Sequence, residues 1–328
     1  MQKNQKPRLH FEDGIVRPEV FRITPERLAA ARRRNAAAAK LVRVSRGVDL
    51  AEIDHWLPRI DALACSGGFL SDARFPLRRL AVAAPRLKWI HVTGAGIENL
   101  LPLDWLPRGV ALTNNSGVHA PKTYEFGLMS LLMLASRVPE IQANQRKARW
   151  QQIFTTTPRG KALLVVGMGE LGGAVARAGR TLGMQVTGLR RREQHRLHAL
   201  LPAADIVYLA APLTPDTRGM MGRREFALMK PGAAIANIGR GPLIRTPALI
   251  AALRSGRLSG AVLDVHDPEP LPAGSPLWKT PNVYISPHCS SDDAETYIPR
   301  TLDLVFDNAR RFVRGQKLRN AVDPKRGY

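Results

Sequence analysis

Cysteine is scarce in this chain: its 328 residues include two, Cys65 and Cys289. Two thiols cannot build a disulfide framework, and their spacing matches no metal-ligand motif, so neither a stapled fold nor a metal site is expected. Aromatic residues are few, at 6%, and none interleave with a basic run as a nucleic-acid stacking platform requires. Long apolar runs are missing too. The most apolar stretch, Phe126 to Ala135, carries Ser130 inside it and is well short of the ~20 residues that span a bilayer. The opening Met1-Gln-Lys-Asn-Gln-Lys-Pro is followed by no apolar segment, which argues against a secretory signal. These absences point to a cytoplasmic protein with no membrane partner.

Acidic residues are in deficit, 27 against 49 basic ones, for a formal net charge of +22. Such a charge raises nucleic acid or an anionic surface as partners. The cations are dispersed, however, in short clusters at Arg32–Arg34, Arg78–Arg79, Arg190–Arg192, Arg223–Arg224 and Arg310–Arg311, and 38 of them are arginine. Without a basic tail or patch, the expectation is a basic surface that attracts acidic metabolites, not a nucleic-acid site.

The length favours two domains. In the first third, strand-like segments at Arg8 to Glu12, Leu41 to Val44, Ala62 to Cys65 and Leu87 to Val92 alternate with helical patterns. One helix opens at Thr24-Pro25, a capping residue followed by a proline suited to the first turn. A long helical pattern runs from Lys122 to Ala148. A second series then follows, with strands expected at Ala162–Val166, Gln185–Gly188, Ile206–Ala210, Ala234–Ile238, Gly260–Val265 and Val283–Ser286, and a last helix from Asp293 to Arg314. Strands separated by helices predict parallel sheets and an α/β fold.

The most informative motif is Gly167-Met-Gly169-Glu170-Leu171-Gly172, which follows the strand Ala162–Val166 and opens a helix. Glycines there allow a tight turn and close backbone approach, and the helix N-terminus presents free N–H groups to a pyrophosphate. A glycine-rich turn alone is weak evidence. The strand before it, the helix after it and the second strand supply the βαβ context that makes it a dinucleotide site. After that second strand, where NAD-binding sites place an acid for the ribose hydroxyls, this chain has Arg190, Arg191 and Arg192. An acid would repel a 2′-phosphate and an arginine fork pairs with it, so NADP(H) is expected over NAD(H), which stays possible.

Three polar residues lie just past three successive strand ends: Arg240, Glu269 and His288. Ligands of open parallel sheets sit at that edge. A 2-oxo acid presents a carboxylate beside a carbonyl, and a guanidinium fork can hold both. Hydride addition leaves an alkoxide, and an imidazolium at His288 can protonate it, with Glu269 favouring the charged ring. The expectation is a reductase of small 2-oxo acids, with Arg240, Glu269 and His288 catalytic.

Taken in order, Gly94-Ala95-Gly96, Asn114-Asn-Ser-Gly117, Glu125, the glycine loop, Pro212-Leu-Thr-Pro-Asp-Thr217, Asn237-Ile238-Gly-Arg-Gly241, Leu263-Asp264-Val265, Glu269-Pro-Leu-Pro272 and Pro287-His288 resemble the D-isomer-specific 2-hydroxyacid dehydrogenases, a family that includes glyoxylate/hydroxypyruvate reductases and phosphoglycerate dehydrogenases. The resemblance implies a Rossmann-type doubly wound dinucleotide domain over residues 117–290. It also implies a smaller, discontinuous flavodoxin-like substrate domain over 1–116 and 291–328. It implies that Gly94, Ala95 and Gly96 meet the substrate carboxylate together with Arg240. Gly167, Gly169, Glu170, Leu171, Gly172, Arg190, Arg191, Pro212, Thr217, Ile238, Asp264 and His288 would line the cofactor, with Asp264 on the carboxamide. A homodimer through the nucleotide domains is implied as well.

Some positions depart from the family pattern: Arg190 for the usual acid, Arg245 where an acid is common, Cys289-Ser-Ser after the histidine, and Lys122 and Tyr124 in a normally apolar segment. Ser66-Gly-Gly-Phe69 is expected to line the substrate pocket, with Phe69 equally suited to the core. Two alternatives stay open: another substrate, such as phosphoglycerate or a bulkier 2-oxo acid, and a dinucleotide-sensing corepressor-like binding protein.

Overall fold

Eleven short segments form parallel strands in two sheets, in a computed structural model that describes residues 5–13, 18–47 and 50–324. The chain divides into two units, Met1–Val118 with Asp293–Tyr328, and His119–Asp292.

In the first unit the strands are β1 (Arg8–Glu12), β2 (Arg43–Gly47), β3 (Ala62–Cys65), β4 (Trp89–Val92) and β5 (Ala111–Thr113), ordered β2-β1-β3-β4-β5. Leu9 registers against Val44 on one side and Ala62 on the other. β3 and β4 are buried along their whole length and apolar but for His91, whose ring lies 2.9 Å from the Thr113 hydroxyl, whereas edge strand β2 reads Arg-Val-Ser-Arg-Gly and stays partly exposed. Strand β5 was not expected. Three residues are too few for a periodic signal, and only its pairing with β4 defines it. The Thr24 hydroxyl accepts the Arg27 N–H at 3.3 Å and so caps the helix Pro25–Arg34. The last helix, Tyr297–Val313, places Ile298, Leu302, Val305, Phe306 and Ala309 on one stripe, packed with Leu9, Phe11, Leu28 and Trp89. Ser66 caps the short helix Gly67–Leu70, and Phe69 is a core residue, fully buried beside Phe75.

In the second unit the strands are β6 (Ala162–Val166), β7 (Gln185–Leu189), β8 (Ile206–Leu209), β9 (Ala233–Asn237), β10 (Leu258–Leu263) and β11 (Val283–Ile285), ordered β11-β10-β9-β8-β6-β7. The chain runs outward from β6 to β7 and then returns to the other side of β6 with β8. The order therefore reverses between β6 and β8, the place where such sheets open a crevice at their carboxyl edge.

The single helix expected over Lys122 to Ala148 is instead two, Ala120–Ala135 and Val138–Arg146. Arg137 between them takes the left-handed conformation with φ of 54°. Pro139 explains the break: it lacks an N–H, disfavours helical backbone at Val138, and suits the first turn of a new helix. Ser130, the polar residue inside the apolar stretch, is buried against Tyr208, their hydroxyls 2.9 Å apart. Burial pushes the Tyr208 phenol up from its ordinary range, so it stays a neutral hydrogen-bonding group. Among the described residues no helix is long and apolar enough to cross a membrane.

Candidate active site

The glycine loop sits at the turn after β6. Gly167 has φ of 96°, and a Cβ there would lie 2.5 Å from the Ala211 nitrogen; one on Gly172 would lie 1.7 Å from the Gly167 oxygen. Gly169 directly precedes the helix Glu170–Thr181 and faces open space, since nothing lies within 4 Å of its Cβ position. Glu170 is exposed in the first turn and Leu171 packs on the core. Bare backbone, free first-turn N–H groups and room above Gly169 together fit a dinucleotide pyrophosphate.

Beyond β7, Arg190, Arg191 and Arg192 are all exposed. The Arg190 N–H donates to the Glu193 carboxylate at 3.3 Å, leaving the guanidinium outside that bond, and Arg191 lies 3.9 Å from Asp216. Beyond β8, the Thr217 hydroxyl donates to the Pro212 carbonyl at 2.8 Å and accepts the Thr214 N–H at 2.8 Å, which closes the loop 212–217 on itself. Ile238 is buried at the end of β9 as a core residue, its N–H donated to the Leu209 carbonyl.

The three residues expected to react emerge from β9, β10 and β11. Asn237 closes β9 and shapes the Arg240 turn: its side chain accepts the Gly239 N–H at 3.0 Å and donates to the Arg240 carbonyl at 2.9 Å. One arm of the Arg240 guanidinium donates to the Gly239 carbonyl at 2.7 Å. Gly241 is held so tightly that a Cβ would lie 1.7 Å from the His266 oxygen, so the turn after β9 rests directly on the turn after β10.

His288 and Glu269 are bonded. The imidazole Nδ1–H donates to Glu269 Oε2 at 2.9 Å, and Glu269 Oε1 accepts the His266 N–H at 2.6 Å. Both carboxylate oxygens are thereby committed, and the proton on Nδ1 leaves Nε2 as the ring's other face. His288 itself is left-handed, with φ of 54°, a conformation that costs a non-glycine residue about 1–3 kcal/mol. Asp264, fully buried, supplies the offset. Its carbonyl accepts the His288 N–H at 2.9 Å, Oδ1 accepts the Cys289 N–H at 2.9 Å and the Ser286 hydroxyl at 2.6 Å, and Oδ2 accepts the Ser290 N–H at 3.0 Å. These four bonds hold the turn in that conformation. Asp264 is thus the buried post around which the His288 turn is wound.

Arg240 and His288 also share a neighbour. His119, buried at the start of helix Ala120–Ala135, has its pKa lowered first by burial and then by the positive charges of Arg240 and His288. In the other unit, Gly94, Ala95 and Gly96 form the half-buried turn after β4, pinned where Asn114 donates to the Ala95 carbonyl at 2.8 Å. Among the described residues neither the Ala95 nor the Gly96 N–H has an acceptor.

Asn237, His266, Ser286, His119 and Asp292 were not singled out from sequence. Asn237 opens one of the motifs and Ser286 ends an expected strand, three and two residues before Arg240 and His288, and both could have been found by asking what shapes each turn. His119 carried no such signal. Among the described residues no cluster of His, Cys, Asp and Glu could hold a metal.

Residues 128–290 match the family model described as D-isomer specific 2-hydroxyacid dehydrogenase, NAD binding domain. A glyoxylate reductase of Korarchaeum cryptofilum is 33% identical over 258 residues, 74% of this chain and 77% of that one. Among solved structures, a D-isomer specific 2-hydroxyacid dehydrogenase from Xanthobacter autotrophicus, in complex with NADPH and MES, is 29% identical with a TM-score of 0.78 and covers 98% of this chain and 100% of its own. An NADPH-dependent glyoxylate/hydroxypyruvate reductase from Sinorhizobium meliloti, in complex with NADP and sulfate, is 26% identical, also with a TM-score of 0.78, covering 98% and 100%.

Proposed function

This chain belongs to the D-isomer-specific 2-hydroxyacid dehydrogenase family, and from that premise we propose that it reduces glyoxylate, hydroxypyruvate or a closely similar small 2-oxo acid, using NADPH in preference to NADH. The observation that carries the reading is the bonded Glu269–His288 pair, held at the same sheet edge as Arg240.

The bound nicotinamide supplies the hydride. Every other task falls to the protein. Arg240 holds the substrate carboxylate and the neighbouring carbonyl oxygen with its planar fork. That grip directs C2 toward the hydride and leaves the oxygen facing His288. The His288 imidazolium gives its Nε2 proton to that oxygen as charge develops, and Glu269, bonded at Nδ1, holds the ring's tautomer and plane throughout. In oxidation the neutral ring takes the proton back, so reduction needs the protonated ring and oxidation the neutral one. Asp264 holds the His288 turn beside the carboxamide contact that the family implies.

Support for NADPH comes from the arginines after β7 and from the two similar structures described with NADPH or NADP. Arg190→Ala is expected to lower kcat/KM for NADPH roughly 10- to 100-fold, the loss of one charge-assisted contact to a phosphate, and to leave NADH turnover unchanged. Steady-state kinetics with both cofactors across a panel of 2-oxo acids tests the whole reading. Absence of turnover with every acid would overturn the activity, and an NADPH/NADH ratio at or below one would overturn the preference.

The homodimer is part of the same reading. Met129, Leu132, Ile141, Trp150 and Phe154 are exposed along one stretch of the second unit, Trp150 by 97% and Phe154 by 86%. Large apolar side chains left in water at that density mark a contact surface. Sedimentation should show a dimer of the full chain, and the pair Trp150→Ser with Phe154→Ser should shift it toward monomer; an unchanged dimer removes this segment from the interface.

A further inference from the structure

One buried histidine near the site has no role in the chemistry derived above. We propose that His119 is a positioning residue, whose Nδ1–H clasps the carbonyl of Ser291 beside the Asp292 carboxylate and so fixes the far end of the turn that carries His288. The inference rests on the reductase reading of that turn.

The geometry is local and specific. His119 Nδ1 lies 3.1 Å from the Ser291 carbonyl oxygen and 3.8 Å from Asp292 Oδ1. A carbonyl cannot donate, so Nδ1 carries the proton. The backbone of His119 is itself locked, because its carbonyl accepts both the N–H and the hydroxyl of Thr123 at 3.0 Å. Asp264 secures residues 288 to 290 and reaches no further along the chain. Beyond them, His119 bonds the Ser291 carbonyl and lies beside the Asp292 carboxylate, while the Asp292 N–H donates to the Cys289 carbonyl at 3.4 Å. The chain passes between its two units at Val118/His119 and again at Asp292/Asp293, so the clasp joins the two crossing segments three to four residues from His288.

Electrostatics give the clasp a working state. The charged groups facing His119 are Asp292, Arg240 and His288; those facing Asp292 are His119, His288 and Asp264. Burial lowers the His119 pKa from 6.5, with Arg240 and His288 acting in the same direction, against the raising effects of Ser291 and Asp292. The ring is therefore neutral at neutral pH and serves as a hydrogen-bond donor, adding no charge beside Arg240. Burial raises the Asp292 pKa from 3.8, with Asp264 adding to it, while His119 and His288 pull it down. Once ionised, Asp292 is a second negative charge near the catalytic imidazole, and it favours the imidazolium.

The test uses the full chain with glyoxylate and NADPH. His119→Ala should lower kcat roughly tenfold by loosening the general acid, with the NADPH Kd within about twofold of the parent. His119→Asn keeps an N–H donor the same number of bonds from Cα and should restore most of the loss, a rescue that mere filling of space would not give. Asp292→Asn should move the alkaline limb of the reduction profile to lower pH, through loss of one neighbouring negative charge. Parent kcat in His119→Ala, an unmoved limb in Asp292→Asn, or a His119→Asn variant no better than His119→Ala would each overturn the clasp. If the alanine variant does not fold, Asp292→Asn and His119→Asn decide the matter alone. Should the parent turn over no 2-oxo acid, the functional reading fails and the clasp is still testable by nitrogen NMR of the imidazole: an Nδ1–H tautomer whose titration falls further in Asp292→Asn supports it, and an Nε2–H tautomer refutes it.

Discussion

Glyoxylate reduction by His288→Ala should be slower than the parent roughly 10²–10⁴-fold in kcat, the range for loss of one general acid, which corresponds to about 2.7–5.4 kcal/mol of barrier. In the proposed reading the glycine loop meets the cofactor through its backbone, so NADPH affinity should change little. The size of the effect depends on how much preparation the protein invests in this ring. Its φ of 54° is held by a buried aspartate, its Nδ1 by Glu269, and Glu269 in turn by the His266 N–H. Glu269→Gln keeps the volume and one acceptor oxygen and removes the charge. It should fall between the parent and His288→Ala, and its reduction profile should move to lower pH because the imidazolium has lost its counter-charge. Parent rates in His288→Ala, measured by stopped-flow so that product release does not mask the step, would remove His288 from the chemistry.

Arg240→Ala is the second large effect. Two charge-assisted bonds to a carboxylate and its neighbouring oxygen, at about 1.5–3 kcal/mol each, predict a fall in kcat/KM of roughly 10²–10⁴-fold. Arg240→Lys should recover charge and not geometry, and remain roughly tenfold or more below the parent, because an ammonium cannot present two parallel donors. The Asn237 bonds and the 2.7 Å tether to the Gly239 carbonyl preset the guanidinium plane, so much of the loss should appear in kcat as well as KM. Added guanidinium ion should partly rescue the alanine variant. An Arg240→Ala enzyme within threefold of the parent would mean that the substrate is gripped elsewhere.

Legibility along the chain followed the strength of the local signal. Strands β1, β3 and β6 were readable to the residue, β3 and β6 as compact apolar runs and β1 as a short alternation of apolar Leu9 and Phe11 with polar neighbours. Strand β5 was not, because three residues acquire meaning only beside β4. The helix over Lys122 to Ala148 was over-read: its apolar periodicity continues across Val138-Pro139, and the proline that interrupts the backbone leaves the side-chain pattern intact. The trio proposed to react and the glycine loop were visible as residues because the chemistry proposed for them calls for particular residue types at strand ends. The supports were less visible. Asp264 was read for a contact to the cofactor, and its three bonds to the 286–290 turn became apparent only in the fold.

By itself the sequence determined the class of fold, the family and the polar residues that stand past the ends of β9, β10 and β11, because these follow from periodicity and from motifs of fixed order. Tertiary structure decided how those groups are held: which oxygen of Glu269 meets His288, why a left-handed histidine is tolerated, and how His119 comes to clasp a turn 172 residues away. The physical reason is range. Propensity, capping and turn chemistry act within a few residues, whereas a buried carboxylate or imidazole finds its partners only after the strands that carry them are set side by side.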